Sequence, residues 1–370
     1  MGKKARNADY IKEYNRKEVL RILRRNPMSR AELARATGLT RAATSMIGDE
    51  LLAEGILEEL PPHSVGRGRS AIPLAVRENC YYVLAVQLNR AGCSVGLCDF
   101  VGHLIRKREV SLKGDLIFPI VRALNEILGN IDKSRVLGIG ISCPGPVDTH
   151  EGRILKPPRF DRWHGVALGP ILEEEMGIPA YLENDACALA LHQLEIGDSR
   201  DFVLLVVDSG VGSGVVSLGK LLGGAGNFTC ELGHTSICYN GRQCECGNKG
   251  CLEAYASIPN ILKGSSYKTW EELIANLGRE AEAENLLNQE VEYLSAGIIN
   301  LLNLIQLDTV YLAGTVRNGY EHLEWRLQKE INNRSISRQI GPAKIQSADL
   351  RQEAELLAAG DVVISRYLLV

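Results

Sequence analysis

The sequence predicts an N-terminal winged helix-turn-helix, mainly α, followed by two α/β units in succession with a cleft between them. Three observations carry that prediction: a helical pattern with capping residues up to residue 60, strand periodicity from Tyr82, and a second strand-and-glycine unit opening at Phe202. The 370 residues accommodate two or three domains. With 45% hydrophobic and 24% charged residues and 13 Pro, disordered, collagen-like and fibrous chains are excluded.

Val19, Leu20, Ile22 and Leu23 form the apolar face of a first helix within residues 15–26. It ends near Asn26-Pro27 because proline disfavours helical geometry in the residue before it. Ser29-Arg30-Ala31-Glu32 has the Ser-x-x-Glu form of a capping box and starts a second helix, which Gly38 ends in a left-handed turn. Thr40 caps a third helix to about Glu54, with Ile47 and Leu51 inward. Helix, short glycine-containing turn, helix is the geometry of a helix-turn-helix. Its last helix is expected to offer Thr40, Arg41, Thr44 and Ser45 to the major groove. Residues 56–60 and 71–74 read as two strands of a wing. At its tip, Gly66-Arg67-Gly68-Arg69, Arg67 and Arg69 suit a narrow A·T-rich minor groove. The alternative is a plain three-helix bundle with a flexible basic linker. Charge is divided accordingly: residues 1–70 carry 14 Lys and Arg against 9 Asp and Glu, and the remainder 28 against 36. A basic head on an acidic body suits a polyanion partner for the head.

Residues 82–88, 92–99 and 103–110 read as consecutive antiparallel strands, followed by a helix over 116–128 and an apolar strand over 136–141. A helix over 167–176 leads to a strand running into Glu183-Asn184-Asp185. The second unit opens with a strand over 202–207 and the glycine-rich 208–214. It continues through a Cys-rich loop and helices between about 259 and 304, and returns to a strand at 309–313.

The strongest local signal is His234-x9-Cys244-x-Cys246-x4-Cys251. One His and three Cys at this spacing match a tetrahedral site for Zn2+, structural because four protein ligands fill the coordination sphere. Cys230 and Cys238 lie close by, and reduced loop thiols are the alternative. The ten Cys follow no apolar signal core, so thiols or a metal are expected in place of disulfides, and the cytoplasm is the expected location. No apolar run approaches the ~18 residues of a membrane span.

Cys244 to Glu253 reads Cys-x-Cys-Gly-x-x-Gly-Cys-Leu-Glu, preceded by Glu231-Leu232-Gly233-His234. This resembles the signature of the ROK family of repressors, open reading frames and sugar kinases, over most of residues 82–320. With its N-terminal helix-turn-helix the chain is similar to the repressor branch, the regulators of N-acetylglucosamine, glucose and xylose uptake genes. The resemblance implies an actin-like, sugar-kinase two-lobed α/β fold and a homodimer or homotetramer. It implies that Asn184 and Asp185 contact sugar hydroxyls, Asp185 standing where the kinases have their catalytic base. Glu231, His234 and Glu253 are its other implied sugar contacts. Carboxylates and an amide can pair with vicinal hydroxyls that are costly to leave unpaired. Without the resemblance, Asn184-Asp185 reads as a turn and Glu253 as a solvated helix residue. The predicted division is 1–75 for the head, 76–190 for the first lobe, completed by a helix at 352–370, and 191–351 for the second lobe, with the zinc loop and an oligomerisation surface.

The family's kinases carry Asp-x-Gly-Gly-Thr after the first strand to hold magnesium and phosphates. Here that stretch is Gln87-Leu88-Asn89-Arg90-Ala91, with the acid and both glycines absent. Asp208 precedes the second phosphate loop and repels phosphate, and Ala313-Gly314-Thr315 departs from the Gly-Gly of the adenosine segment. The expectation is therefore a sugar-responsive transcriptional repressor of carbohydrate-utilisation genes that is not an enzyme. Its partners are operator DNA, an A·T-rich pseudo-palindrome, and a monosaccharide or derivative in the cleft, with no membrane partner. Arg159, Asp161 and Trp163 are candidates for sugar selectivity. The rival is a ROK-type ATP-dependent sugar kinase with a DNA-binding appendage; a third reading has the body respond to a protein partner.

Overall fold

Capping sets where the N-terminal helices begin. In the computed structural model, which describes residues 8–62, 72–223, 230–350 and 353–368, Glu32 accepts the Ser29 N–H at 2.8 Å and Ser29 Oγ accepts the Glu32 N–H at 3.4 Å. This reciprocal pair starts α2 (Arg30–Thr37). Gly38, at φ +70°, ends it, and Thr40 Oγ1 accepts the Ala43 N–H at 3.2 Å to start α3 (Arg41–Ala53). α1 (Ala8–Arg25) begins earlier than the apolar pattern indicates. Its first turns are held by ion pairs to the end of α3, Lys12 to Glu50 at 2.8 Å and Arg16 to Glu54, which leave no hydrophobic period to read. The two expected wing strands, β2 (Leu57–Glu59) and β3 (Pro73–Val76), are joined by β1 (Met28–Ser29) in the order β1-β3-β2. The head's core is Val19, Leu20, Leu33, Ile47, Leu51, Leu57 and Leu74, all buried.

The first lobe opens with the antiparallel β4 (Tyr82–Leu88), β5 (Cys93–Asp99) and β6 (Leu104–Val110). Then come α4 (Phe118–Leu128), β7 (Val136–Cys143), the short hairpin β8 (Val147–Asp148) and β9 (Arg153–Ile154), α5 (Leu168–Met176) and β10 (Ala180–Asn184). β7 is parallel to both β4 and β10, and the sheet order is β10-β7-β4-β5-β6. α6 (Asp185–Ile196) follows. The second lobe repeats the plan with β11 (Phe202–Val207), β12 (Val211–Ser217) and β13 (Lys220–Leu221). The helices α7 (Glu253–Ala256), α8 (Ile258–Ile261), α9 (Trp270–Ala275) and α10 (Ala281–Leu304) lead to β14 (Thr309–Ala313), α11 (Tyr320–Arg334) and β15 (Lys344–Ser347). Its order is β13-β12-β11-β14-β15, with three antiparallel strands and then two parallel ones, as in the first lobe.

Two helices cross between the lobes. α12 (Ala354–Leu368) returns to pack on β4, β7 and β10 of the first sheet, whereas α6, which spans the predicted division at 190/191, packs on β11 and β12 of the second. The two helices also pack on each other. Glycines allow this closeness: a Cβ at Gly140 of β7 would lie 1.8 Å from the Ala359 carbonyl oxygen, and one at Gly214 of β12 would lie 2.5 Å from Ala190 Cβ. Among the described residues no helix is long and apolar enough to cross a membrane.

Candidate functional site

A cavity of about 370 Å³ opens between the lobes, where β10 meets α6 and β11 meets β12. Asn184, Asp185, Glu231, His234 and Glu253 all line it. Asn184 caps α6 with Oδ1, which accepts from the amides of Ala186 at 3.0 Å and Cys187 at 3.3 Å. Its oxygen is thereby used, and the amide nitrogen is left to donate. A Cβ at Gly145 would lie 2.4 Å from that nitrogen, so only glycine leaves it room. Asp185 Oδ1 accepts from Ala186 N at 2.8 Å. Burial pushes its carboxyl up to about 6, against the Ala186 amide and the Arg90 charge. Glu253 accepts the Val211 N–H at 2.9 Å. Glu231 is likewise raised by burial, with His234 opposing.

Glu355, in the first turn of α12, lines the same cavity and accepts a hydrogen bond from Gln87. Partial desolvation, and then Asp208, raise its carboxyl. No local motif marks Glu355; only the return of the C-terminal helix brings it here. Arg90 and Arg159 also line the cavity, and Arg159 Nη2 reaches across to the Ser209 carbonyl at 3.3 Å. Of the other selectivity candidates, Trp163 is buried in the first lobe's core, stacked on Phe160 with centroids 5.9 Å apart, and Asp161 is exposed to solvent. Neither lines the cavity.

Beside the cleft, one ligand atom each from His234, Cys244, Cys246 and Cys251 lies within 4.8 Å of all the others. Cys244 Sγ is 3.6 Å from His234 Nδ1, and Cys246 Sγ is 3.7 Å from Cys251 Sγ. A tetrahedron with metal–sulfur bonds of ~2.3 Å has edges of ~3.8 Å, so the donors fit one ion. Asn248 Nδ2 donates to Cys251 Sγ at 3.3 Å, an outer contact that orients the ligand. Burial first, and then the Cys246 and Cys244 sulfurs, push the Cys251 thiol up to about 12; a cation is what would let such closely spaced sulfurs ionise together. Gly250, at φ +74°, lets the loop turn, and a Cβ there would lie 1.6 Å from the Cys238 carbonyl oxygen. The same loop holds the cleft residues: His234 N donates to the Glu231 carbonyl at 3.0 Å, and Leu252 N to that of Thr235 at 2.9 Å.

On α3 the outward face carries Arg41, with Thr40 exposed at its cap and Ser45 half-buried. Thr44 corrects the sequence reading. It is fully buried, and Oγ1 donates to the Thr40 carbonyl at 3.0 Å, so it reaches no base edge. At 100° per residue Thr44 shares the inward face with Ile47, Gly48 and Leu51. Ala42 and Met46, the latter 52% exposed, face outward in its place. Arg67 and Arg69 lie outside the described residues.

The ROK family model matches residues 104–365. The chain belongs to the ROK family. It is similar to the xylose repressor of Caldicellulosiruptor bescii, 28% identical over 98% of both chains. A solved ROK family transcriptional regulator, a homolog of the E. coli MLC protein, is 25% identical with a TM-score of 0.78, covering 97% of this chain and 96% of its own. The glucokinase of Thermotoga maritima, 28% identical, is covered over 98% of its length but accounts for only 77% of this chain. This ROK chain thus has the family's actin-like, sugar-kinase two-lobed fold behind an N-terminal winged helix-turn-helix.

Proposed function

We propose that this ROK protein is a sugar-responsive DNA-binding transcriptional regulator, a repressor of carbohydrate-utilisation genes whose effector occupies the inter-lobe cleft. The observation that carries this reading is the pairing, in one chain, of a capped helix-turn-helix with a cleft in which Gln87 is held by Glu355 at the position of the kinases' phosphate-binding acid. Asn184 donates to the sugar, while Asp185, Glu231 and Glu253 accept from its hydroxyls. Asp208 and Glu355 stand where a nucleotide's phosphates would approach, which disfavours phosphoryl transfer. His234, Cys244, Cys246 and Cys251 hold a structural zinc ion that fixes the loop carrying Glu231 and Glu253. The chain works as at least a dimer in the cytoplasm, on an A·T-rich pseudo-palindrome with half-sites one helical turn or a multiple of it apart.

The test combines two measurements. In a thermal-shift screen of monosaccharides, sugar phosphates and amino sugars, a true effector at 100 times its dissociation constant adds ~2.7 kcal/mol. The same compound must then change operator affinity by fluorescence anisotropy, since a ligand with equal affinity for both conformations shifts nothing. Sugar-dependent ATP hydrolysis above background would favour the kinase reading. Gly145→Ala should displace the Asn184 amide, weaken the α6 cap and lower sugar affinity at least ~10-fold by calorimetry; unchanged affinity would remove Asn184 from the site. Arg41→Ala should weaken operator binding by ~1–3 kcal/mol at fixed salt, with sugar affinity unaltered.

A further inference from the structure

α6 and α12 both begin at the cleft and both end at the helix-turn-helix head. Asp185 opens α6, and Glu355 lies in the first turn of α12. At their far ends, Arg25 of α1 donates to the carbonyls of Leu194 and Gly197, and Arg21 donates to the Leu368 carbonyl at 2.9 Å. Between them Arg24 is buried, 7% exposed, with its guanidinium wholly committed. Nε donates to the Phe100 carbonyl at 2.6 Å, Nη1 pairs with Glu195 on α6, and Nη2 pairs with Asp361 on α12 at 2.7 Å. The other Asp361 oxygen is 2.8 Å from His192 Nδ1, back on α6.

A buried arginine is tolerated only when its pairing geometry is good, and here the partners are divided between two helices that ride on different sheets. Of their sheet contacts, α6 makes most with the second lobe and α12 most with the first. Any change in the angle between the lobes therefore changes the separation of Glu195 from Asp361. A planar guanidinium fork matches one arrangement of two carboxylates and not a range of them. A cavity of about 470 Å³ beside Arg24, also lined by Asp99, His103 and Asp198, leaves the junction room to rearrange. We propose that Arg24 is the positioning residue through which closure of the lobes sets the orientation of the head. This rests on the reading that a sugar in the cleft changes operator affinity.

The experiment uses the full-length protein, a DNA duplex recovered by the wild type from a random-sequence pool, and xylose, with glucose and N-acetylglucosamine in parallel. Arg24→Lys keeps the charge but cannot span both carboxylates, and Glu195→Gln removes only the α6 arm while leaving Asp361 paired. In both variants the sugar-induced change in operator affinity should shrink at least ~5-fold from its wild-type size, while sugar affinity measured by calorimetry without DNA stays within about twofold. An undiminished sugar response in both variants overturns the proposal. So does loss of sugar binding in both, which would make the cluster part of the cleft. A wild-type protein that binds DNA but responds to none of the sugars defeats the functional reading itself and the proposal with it.

Discussion

Cys246→Ser, or treatment with a chelator, is expected to lower the melting temperature and the sugar affinity together. Cys246 is exposed, so serine there leaves no hole in the core and the effect reports the metal alone. Structural zinc contributes folding free energy directly, on the order of 10 kcal/mol in isolated finger peptides. The loop packs a small cluster of its own, Cys244, Cys251 and Ala254, so loss of the metal should loosen the loop, despite the bridges Ser236 to Cys251 and Gln243 to Lys249, and leave the lobes standing. The consequence for the cleft is severe because the metal ties together the two ends of the loop. Glu231 precedes the His234 ligand by three residues, and Glu253 follows the Cys251 ligand by two. Freed ends would let Glu253 leave the Val211 amide. Metal content falling from one ion per chain to none, with sugar affinity down at least ~10-fold by calorimetry, is the expected result. Full sugar affinity in a metal-free variant would separate the loop from the site.

What the sequence shows and what it conceals follow from the range of the interactions. The capped helices of the head and the strands of the first lobe's meander are legible because their partners are close in sequence: Ser29 with Glu32, and Tyr82 opposite Asp99. The Cys and His ligands are legible because a metal needs them within one loop. β1 escapes notice since two residues carry no period, and its partner Leu74 is 46 positions away from Met28. Thr44 misleads because polarity suggests an outward side chain, whereas a threonine hydroxyl can satisfy itself on the carbonyl four residues back and face the core. Glu355 and Arg24 could not be found by local pattern at all. Glu355 enters the cleft only through the return of α12 across the first sheet, and Arg24 meets its partners Phe100, Glu195 and Asp361 at 76, 171 and 337 positions' distance.

Asp185→Asn is expected to act in opposite directions on binding and on stability. In the folded protein burial raises this carboxyl to about 6, while in the unfolded chain it titrates near ~3.9. The folded state therefore prefers the proton, and ionised Asp185 is a liability of the sugar-free protein. That liability is absent below pH ~4, where both states are protonated, grows as pH rises toward the folded value, and is complete above it. A shift of this size corresponds to roughly 2 kcal/mol at neutral pH, discounting for the face that Asp185 turns to the open cavity. Asparagine removes the charge and keeps the shape, so the sugar-free variant should be more stable than wild type at pH 7 by about that amount, with the difference vanishing near pH 4. Sugar binding should move the other way. The carboxylate oxygen not used by Ala186 is the acceptor offered to a hydroxyl, and hydrogen bonds to ionised groups contribute about 1.5–3 kcal/mol. Replacing it with an amide should lower affinity roughly 10- to 100-fold at pH 7. Wild-type affinity should itself fall as pH drops through about 6, where Asp185 takes up its proton, and the variant's affinity should fall less across that range, what remains reporting the buried Glu231. Denaturant unfolding at pH 4 and 7, paired with calorimetry between pH 5 and 8, checks both halves. A variant less stable than wild type at pH 7 would mean that Asp185 is held as a carboxylate by contacts stronger than the Ala186 amide and Arg90, and a pH-independent wild-type affinity would place the sugar on the other acids of the cleft.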